Sequence, residues 1–254
     1  MESFKEMPSN IKLIYALIAI LFLLNVFALT KVEKTVKSSA SNSEIEKWVK
    51  ANPEVMLEAI NKYAIQQQEE LIRQQQQQAG ENIKKFDKEL KDTKYAGVLN
   101  PKGTIEIVEF YDYNCGYCKI VSKNVDELLK NRSDVKVILR AIPILSEASR
   151  YATEVGMAIL ISEPAKYPSY YKALMNGSAR SKEEVSKAVE SIGLKMSKIN
   201  TVLTKNKSEI DSAINNNLEL AGKIGINGTP AFVINGELIP GAVDTQTLND
   251  KLGK

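Results

Sequence analysis

Cys115 and Cys118 are the only two cysteines among 254 residues, and they stand as Cys115-Gly116-Tyr117-Cys118. Two thiols so spaced share one helical turn and can close only one disulfide. They lie where an apolar, β-branched run (Ile105 to Tyr111) gives way to a helix-like pattern (Lys119 to Lys130). A strand that delivers a thiol to the start of a helix sets it beside unfilled backbone N–H donors, and these favour the thiolate. In CxxC sites of this kind the pKa falls to about 3.5–7.5. Cys115, ahead of the helix, is the expected nucleophile and the more exposed sulfur. Cys118, one turn in, is expected to be more buried and to act as the resolving thiol. The chemistry that follows is exchange. Substrate forms a mixed disulfide at Cys115, attack by Cys118 resolves it in the reducing direction, and the reverse donates a disulfide.

Three other readings of the pair stand beside this one. A zinc half-site needs two more ligands; with no further cysteine and no histidine, only oligomerisation could supply them. Covalent haem attachment needs histidine after the second cysteine, where Lys119 stands. An inert structural disulfide closing so short a loop would stabilise little. The absence of histidine also removes the commonest general base. No phosphate loop, nucleotide fingerprint or metal cluster is present, so no cofactor is expected. The net charge is +3, with 34 basic and 31 acidic residues dispersed along the chain. Nucleic-acid binding is therefore not expected.

The elements around the pair read as α/β. Asn100-Pro101-Lys102-Gly103 is a turn signal, and Thr104 to Tyr111 reads as a strand buried on both faces. The helix from Cys115 to Lys130 has Ile120, Val121, Val125, Leu128 and Leu129 as its expected core face. Asp134 to Ile144 reads as a second strand, which makes a βαβ unit and a parallel pair. Ser146 to about Gly222 reads as helical throughout, with a capping box from Ser181 to Glu184 and helix stops at Gly177 and Gly193. Thr229 to Asn235 is a strand, Asn235-Gly236 a hairpin turn, and Asp244 caps a closing helix to Leu252. Glu109 is an acid inside an apolar run. Buried, it would have a raised pKa and could exchange a proton near Cys118; otherwise it is an ion-paired structural residue or sits at a wet edge. Lys119, Tyr111 and Tyr113 read as rim and packing residues, and Tyr167, Tyr170 and Tyr171 as core or groove lining.

Residues 1–30 read as a signal peptide or membrane anchor, with Leu13 to Leu29 apolar except for Asn25. Val26 with Ala28, or Ser38 with Ala40, could serve a signal peptidase. The rest of the chain is placed outside the cytoplasm because export fits the thiol chemistry. Residues 31–95 read as a linker (31–43) and a helical arm. Asn52-Pro53-Glu54 starts its main helix, and a glutamine-rich stretch (Gln66 to Gln68, Gln74 to Gln78) reads as an exposed helical surface. The arm is either a polar spacer or, through its Trp48/Met56/Ile60/Tyr63 stripe, a homo-oligomerisation surface over about 44–78.

With CxxC at the first strand–helix junction, a helical block and a Thr229-Pro230-led hairpin, residues 96–254 resemble the DsbA-like family of exported thiol–disulfide oxidoreductases. The most specific pieces are Glu109-Phe110-Tyr111 leading into the cysteines, and Gly225-Ile226-Asn227-Gly228-Thr229-Pro230-Ala231-Phe232-Val233. The resemblance implies a thioredoxin-like fold with a helical insertion at about 146–222, and a redox-active Cys115–Cys118 disulfide. It implies a cis Thr229-Pro230 bond facing the sulfurs and contributing to substrate binding. It also implies exported cysteine-containing clients and a membrane redox partner that recycles the disulfide. The best-known oxidases carry Pro-His between the cysteines. Gly116-Tyr117 instead resembles the dipeptide of the exported isomerases, and lacks the cation of a Pro-His site. Cys115 is therefore expected to be acidic, but less so than in the strongest oxidases. The primary expectation is disulfide formation in exported proteins. The alternatives are an oligomeric isomerase or reductase, and a membrane-tethered holdase with an incidental disulfide.

Overall fold

The computed structural model describes residues 17–28, 31 and 42–253, and the chain divides into two compact units, Met1–Glu69 and Glu70–Lys254.

In the first unit, residues 17–28 form helix α1, with apolar side chains exposed. The apolar run extends beyond α1 at both ends, outside the described residues, as do residues 1–12, Ser38 with Ala40, and most of the 31–43 linker. Among the described residues no helix is long and apolar enough to cross a membrane. Helix α2 (Asn42–Ala51) is followed by α3 (Pro53–Lys85). Asn52 stands directly before α3, where the helix start is expected, and also closes α2: its backbone N–H and its side-chain amide both donate to Trp48 O, at 3.0 and 2.7 Å. Proline at the first position of α3 has no N–H to satisfy there. Trp48, Met56, Ile60 and Tyr63 are all exposed.

The second unit takes in the C-terminal part of α3 and the short α4 (Asp87–Lys91). Ala79, Ile83 and Leu90 are buried there, so packing begins well before residue 96. A five-stranded sheet has the order β1-β3-β2-β4-β5, from β1 (Gly97–Leu99), β2 (Ile105–Tyr111), β3 (Val135–Ala141), β4 (Ala231–Ile234) and β5 (Glu237–Pro240). Central β2 runs parallel to β3 and antiparallel to β4, as a βαβ unit with a returning hairpin requires. Strand β1 was not expected. It is three residues long, too short to show a period, and opens on Gly97, where a Cβ would stand 2.0 Å from the Tyr167 ring.

Alternation along the strands divides the core in two. Ile107, Tyr111, Val137 and Leu139 face a large cluster with α5 (Gly116–Asn131), α6 (Glu147–Ser162) and α7 (Tyr167–Asn176). Val108, Phe110 and Ile138 face a smaller one with Ile83, Leu90 and α10 (Lys207–Lys223). Between α7 and α10 lie α8 (Lys182–Ser191), which carries the expected capping box, and α9 (Met196–Lys205); α11 (Thr245–Leu252) closes the chain. Within α5 the expected core face is corrected at Ile120, which is 55% exposed; Cys118 and Ser122 lie on the buried side instead.

Arg140 of β3 is 5% exposed on the smaller face. Its guanidinium donates to Leu90 O, Asp92 O at 2.7 Å, Glu89 O and Asn217 Oδ1 at 2.8 Å. A cation thus satisfies the carbonyls at the end of α4, where the helix dipole is negative. Burial pulls its pKa down to about 10, so it stays charged at neutral pH. Arg140→Met should cost about 2–4 kcal/mol in urea unfolding, because it orphans several buried acceptors at once. A loss below about 0.5 kcal/mol would show that α4 is held by its apolar contacts alone.

Candidate active site

Strand β2 ends at Tyr111, and the turn after it is built on Asp112. The buried Asp112 carboxylate accepts the Asn114 N–H at 2.8 Å on Oδ1, and the Ile144 and Leu145 N–H groups at 3.0 and 3.1 Å on Oδ2. One side chain therefore ties the loop after β2 to the loop after β3. Asn114 Nδ2 then donates to Ser149 Oγ and Ala179 O, fastening the same turn to the inserted helices. Neither role was read from the sequence; the visible signal is a carboxylate and an amide flanking Tyr113 between two apolar runs.

Cys115 follows as the N-cap of α5. It has extended backbone angles, and its sulfur accepts the Cys118 N–H at 3.3 Å. This is the donor expected at a helix start. On its other side Cys115 Sγ donates to Thr229 O at 3.2 Å, and the Thr229-Pro230 peptide is cis. Both cysteines are free thiols here. Cys118 is 0% exposed and Cys115 is 6%, so Cys115 is the more accessible sulfur but is itself largely covered. Gly116 and Tyr117 between them are exposed. Burial pushes the Cys118 thiol well up, while the Asp112 backbone and the Thr229 hydroxyl favour its thiolate. That hydroxyl is buried and has no partner at hydrogen-bonding geometry within the protein, yet lies close enough to Cys118 to act on it. Among the described residues no group of acids or thiols could hold a metal ion.

Glu109 is fully buried, on the same face of β2 as Ile107 and Tyr111 and between Leu139 and Phe232 on the flanking strands. Burial raises its pKa to about 8; a hydrogen bond from Tyr171 opposes the rise and Asp126 adds to it. The wet-edge and ion-paired alternatives are thereby corrected: the carboxyl is dry, and its hydrogen-bond partner is a hydroxyl. Of the rim and packing roles read for Tyr111 and Tyr113, both take the packing one: they are fully buried, and their hydroxyls satisfy one another and Tyr167 Oη at 2.6–3.2 Å. Lys119 is at the rim, where its Nζ donates to Gly177 O at 2.6 Å.

Comparison with known proteins bears on the fold and the family. The family model described as a DSBA-like thioredoxin domain matches residues 106–253. The thiol:disulfide interchange protein DsbA of Bordetella pertussis is 24% identical over 145 residues, 56% of this chain and 68% of that relative. The thiol–disulfide exchange protein alpha-DsbA2 of Wolbachia pipientis superposes with a TM-score of 0.64 at 28% identity, covering 68% of this chain and 94% of its own. Proteus mirabilis ScsC in a transitional conformation matches over 88% of this chain and 96% of its own, with a TM-score of 0.62 and 26% identity.

A raised carboxyl pKa in the folded state has a thermodynamic signature. Between the unfolded value of about 4.5 and the folded value of about 8, the native state binds the extra proton, so stability falls as pH rises through that window. Glu109→Gln removes the cost of ionising a buried acid. Its gain over wild type in urea unfolding should grow from near zero at pH 4.5 to about 3–5 kcal/mol above pH 8. A difference that does not change with pH would mean that Glu109 is ionised throughout.

Proposed function

The chain belongs to the DSBA-like thioredoxin domain family of protein-disulfide oxidoreductases, and from that membership we propose that it forms disulfides in exported proteins through Cys115 and Cys118. The observation that carries the reading is the placement of Cys115 Sγ, which receives the Cys118 N–H at 3.3 Å on one side and meets Thr229 O at 3.2 Å on the other. As Cys115 becomes a thiolate, the helix-start donor remains and the contact with Thr229 O is released. That carbonyl is then free to accept an N–H from an extended client segment, a β-like pairing that holds a client cysteine against the sulfur. Thr229 and Pro230 are the substrate-binding pair, Gly116 and Tyr117 tune the redox poise, and Glu109 serves proton transfer at Cys118.

In the oxidising direction a client thiolate attacks the Cys115 sulfur of the Cys115–Cys118 disulfide. Cys118 leaves as a thiolate and takes a proton from the Glu109 carboxylic acid. A second client thiolate then attacks the client sulfur of the mixed disulfide and releases Cys115. The client loses two electrons and the site gains them; a membrane redox partner takes them back. We place this work in the periplasm, with residues 11–30 as the export signal or tether. Isomerisation is the second reading, favoured by the exposed Trp48/Met56/Ile60/Tyr63 stripe, which would hold several sites together in a homo-oligomer through about 44–78.

Cys115→Ala should abolish both insulin reduction and oxidation of a reduced two-cysteine substrate; a wild type that lacks both activities yet suppresses client aggregation equally with and without the substitution would identify a holdase. Aspartate at Met56 and Ile60 together should reduce the mass seen by sedimentation to that of a single chain and lower the refolding of scrambled ribonuclease. An unchanged mass would leave the arm as a spacer.

A further inference from the structure

Five tyrosine hydroxyls are buried in the large core, and each has found a partner. Tyr111, Tyr113 and Tyr167 bond to one another, and Tyr170 donates to the backbone of Ala152 at 2.8 Å. Tyr171 differs in bonding to an acid: its hydroxyl donates to Glu109 Oε1 at 3.3 Å and to Oε2 at 3.4 Å. The residue comes from α7 of the inserted block, 62 positions along the chain from the acid it reaches. Its ring is buried and packs edge-on against Tyr111, with the centroids 5.0 Å apart. Cys118, on the same side of the sheet, acts electrostatically on that same hydroxyl. The other groups around Glu109 are Asp126 of α5, which is paired with Lys172 at 2.7 Å, and Tyr167 of α7; Leu139 and Phe232 flank it on the strands. No cation bonds directly to the carboxyl among the described residues.

We propose that Tyr171 is a positioning residue for the redox site: its hydroxyl holds the Glu109 carboxylate in place to exchange a proton with Cys118. The inference rests on the exchange reading above. A hydroxyl centred on both oxygens bonds better to the ionised carboxylate, which only accepts, than to the acid. In the reducing direction the Cys118 thiol passes its proton to the Glu109 carboxylate. The Cys118 thiolate attacks Cys115 Sγ, the bond from Cys115 to the client sulfur breaks, and the client leaves as a thiolate. Two electrons pass from Cys118 to the client sulfur, and the proton rests on Glu109. The reverse step returns it. Without the Tyr171 hydroxyl, Asp126 and the apolar walls would keep the carboxyl protonated to higher pH, and it could not accept.

The test is the pH profile of mixed-disulfide resolution on the full chain. Cys115 is first loaded with a small aromatic thiol, and release of that thiol is followed. In wild type the rate should rise through a midpoint that Glu109→Gln abolishes. Tyr171→Phe should move that midpoint up by about one pH unit and slow release about tenfold below it. In the Glu109→Gln background the same substitution should change nothing. Incorporating 3-fluorotyrosine at position 171 retains the ring and strengthens the donor, and should move the midpoint down. It keeps the test decisive if the phenylalanine variant does not fold. A midpoint indifferent to both changes, or a uniform slowing at every pH that persists without Glu109, overturns the inference. Wild type that never releases the thiol overturns the exchange reading itself, and this inference with it.

Discussion

A carboxyl group buried in the middle of a sheet is the constraint on which the rest of this molecule depends. Strand β2 is central, paired on both sides and covered on both faces, and it carries Glu109 at 0% exposure six residues before Cys115. Such a position is costly for a charge and is tolerated only where the group can stay neutral or find a donor. The protein does both. Burial keeps the proton on up to about pH 8, and Tyr171 supplies the donor for the ionised form. Because that donor comes from the insertion, the helical block completes the polar interior of the thioredoxin-like core as well as covering it. Helix α7 must dock correctly for the carboxyl to keep its hydroxyl donor.

The same economy governs the approach to Cys115. Three backbone donors from two loops converge on the buried Asp112 carboxylate, and Asn114 ties the intervening turn to α6 and to the chain after α7. The cysteine is therefore held by groups that belong to the sheet and to the insertion together. A thiol whose reactivity depends on one helix-start N–H at 3.3 Å needs this, because a displacement of a few tenths of an ångström changes the donor it feels.

Most of this architecture was legible in the sequence because it rests on local rules. The nearly continuous β-branched, apolar run Ile105–Tyr111, the Ser181–Glu184 capping box, the Asn235-Gly236 turn and the Asp244 cap each declare themselves within a few residues. The cysteine spacing points to the candidate site, and an acid within an apolar strand draws attention to Glu109. What stayed hidden is what depends on distant segments. Strand β1 exists because β3 offers an edge beside which Gly97 fits under Tyr167. Ile120 looks like a core residue by type, yet at 100° per residue it falls off the face formed by Cys118, Val121, Val125 and Leu128 and is exposed. The partner of Glu109 stands 62 positions away in a helix where three tyrosines look alike, and only packing separates Tyr171 from Tyr167 and Tyr170.

The two thiols owe their unequal characters to the same packing. Cys118 sits one turn inside α5, wholly buried, and desolvation opposes its thiolate. Cys115 sits at the cap, with a helix donor on one side and the Thr229 carbonyl on the other. A dithiol with one sulfur at a donor-rich surface and the other in a dry interior has an inherent order of events: the outer sulfur engages first, and the inner one reacts only when its proton has somewhere to go. In a chain without histidine, the proposed destination is the Glu109 carboxyl, to which no cation is bonded among the described residues and whose pKa burial raises to about 8. Burial acts on both groups in the same direction, raising the Cys118 thiol and the Glu109 acid alike.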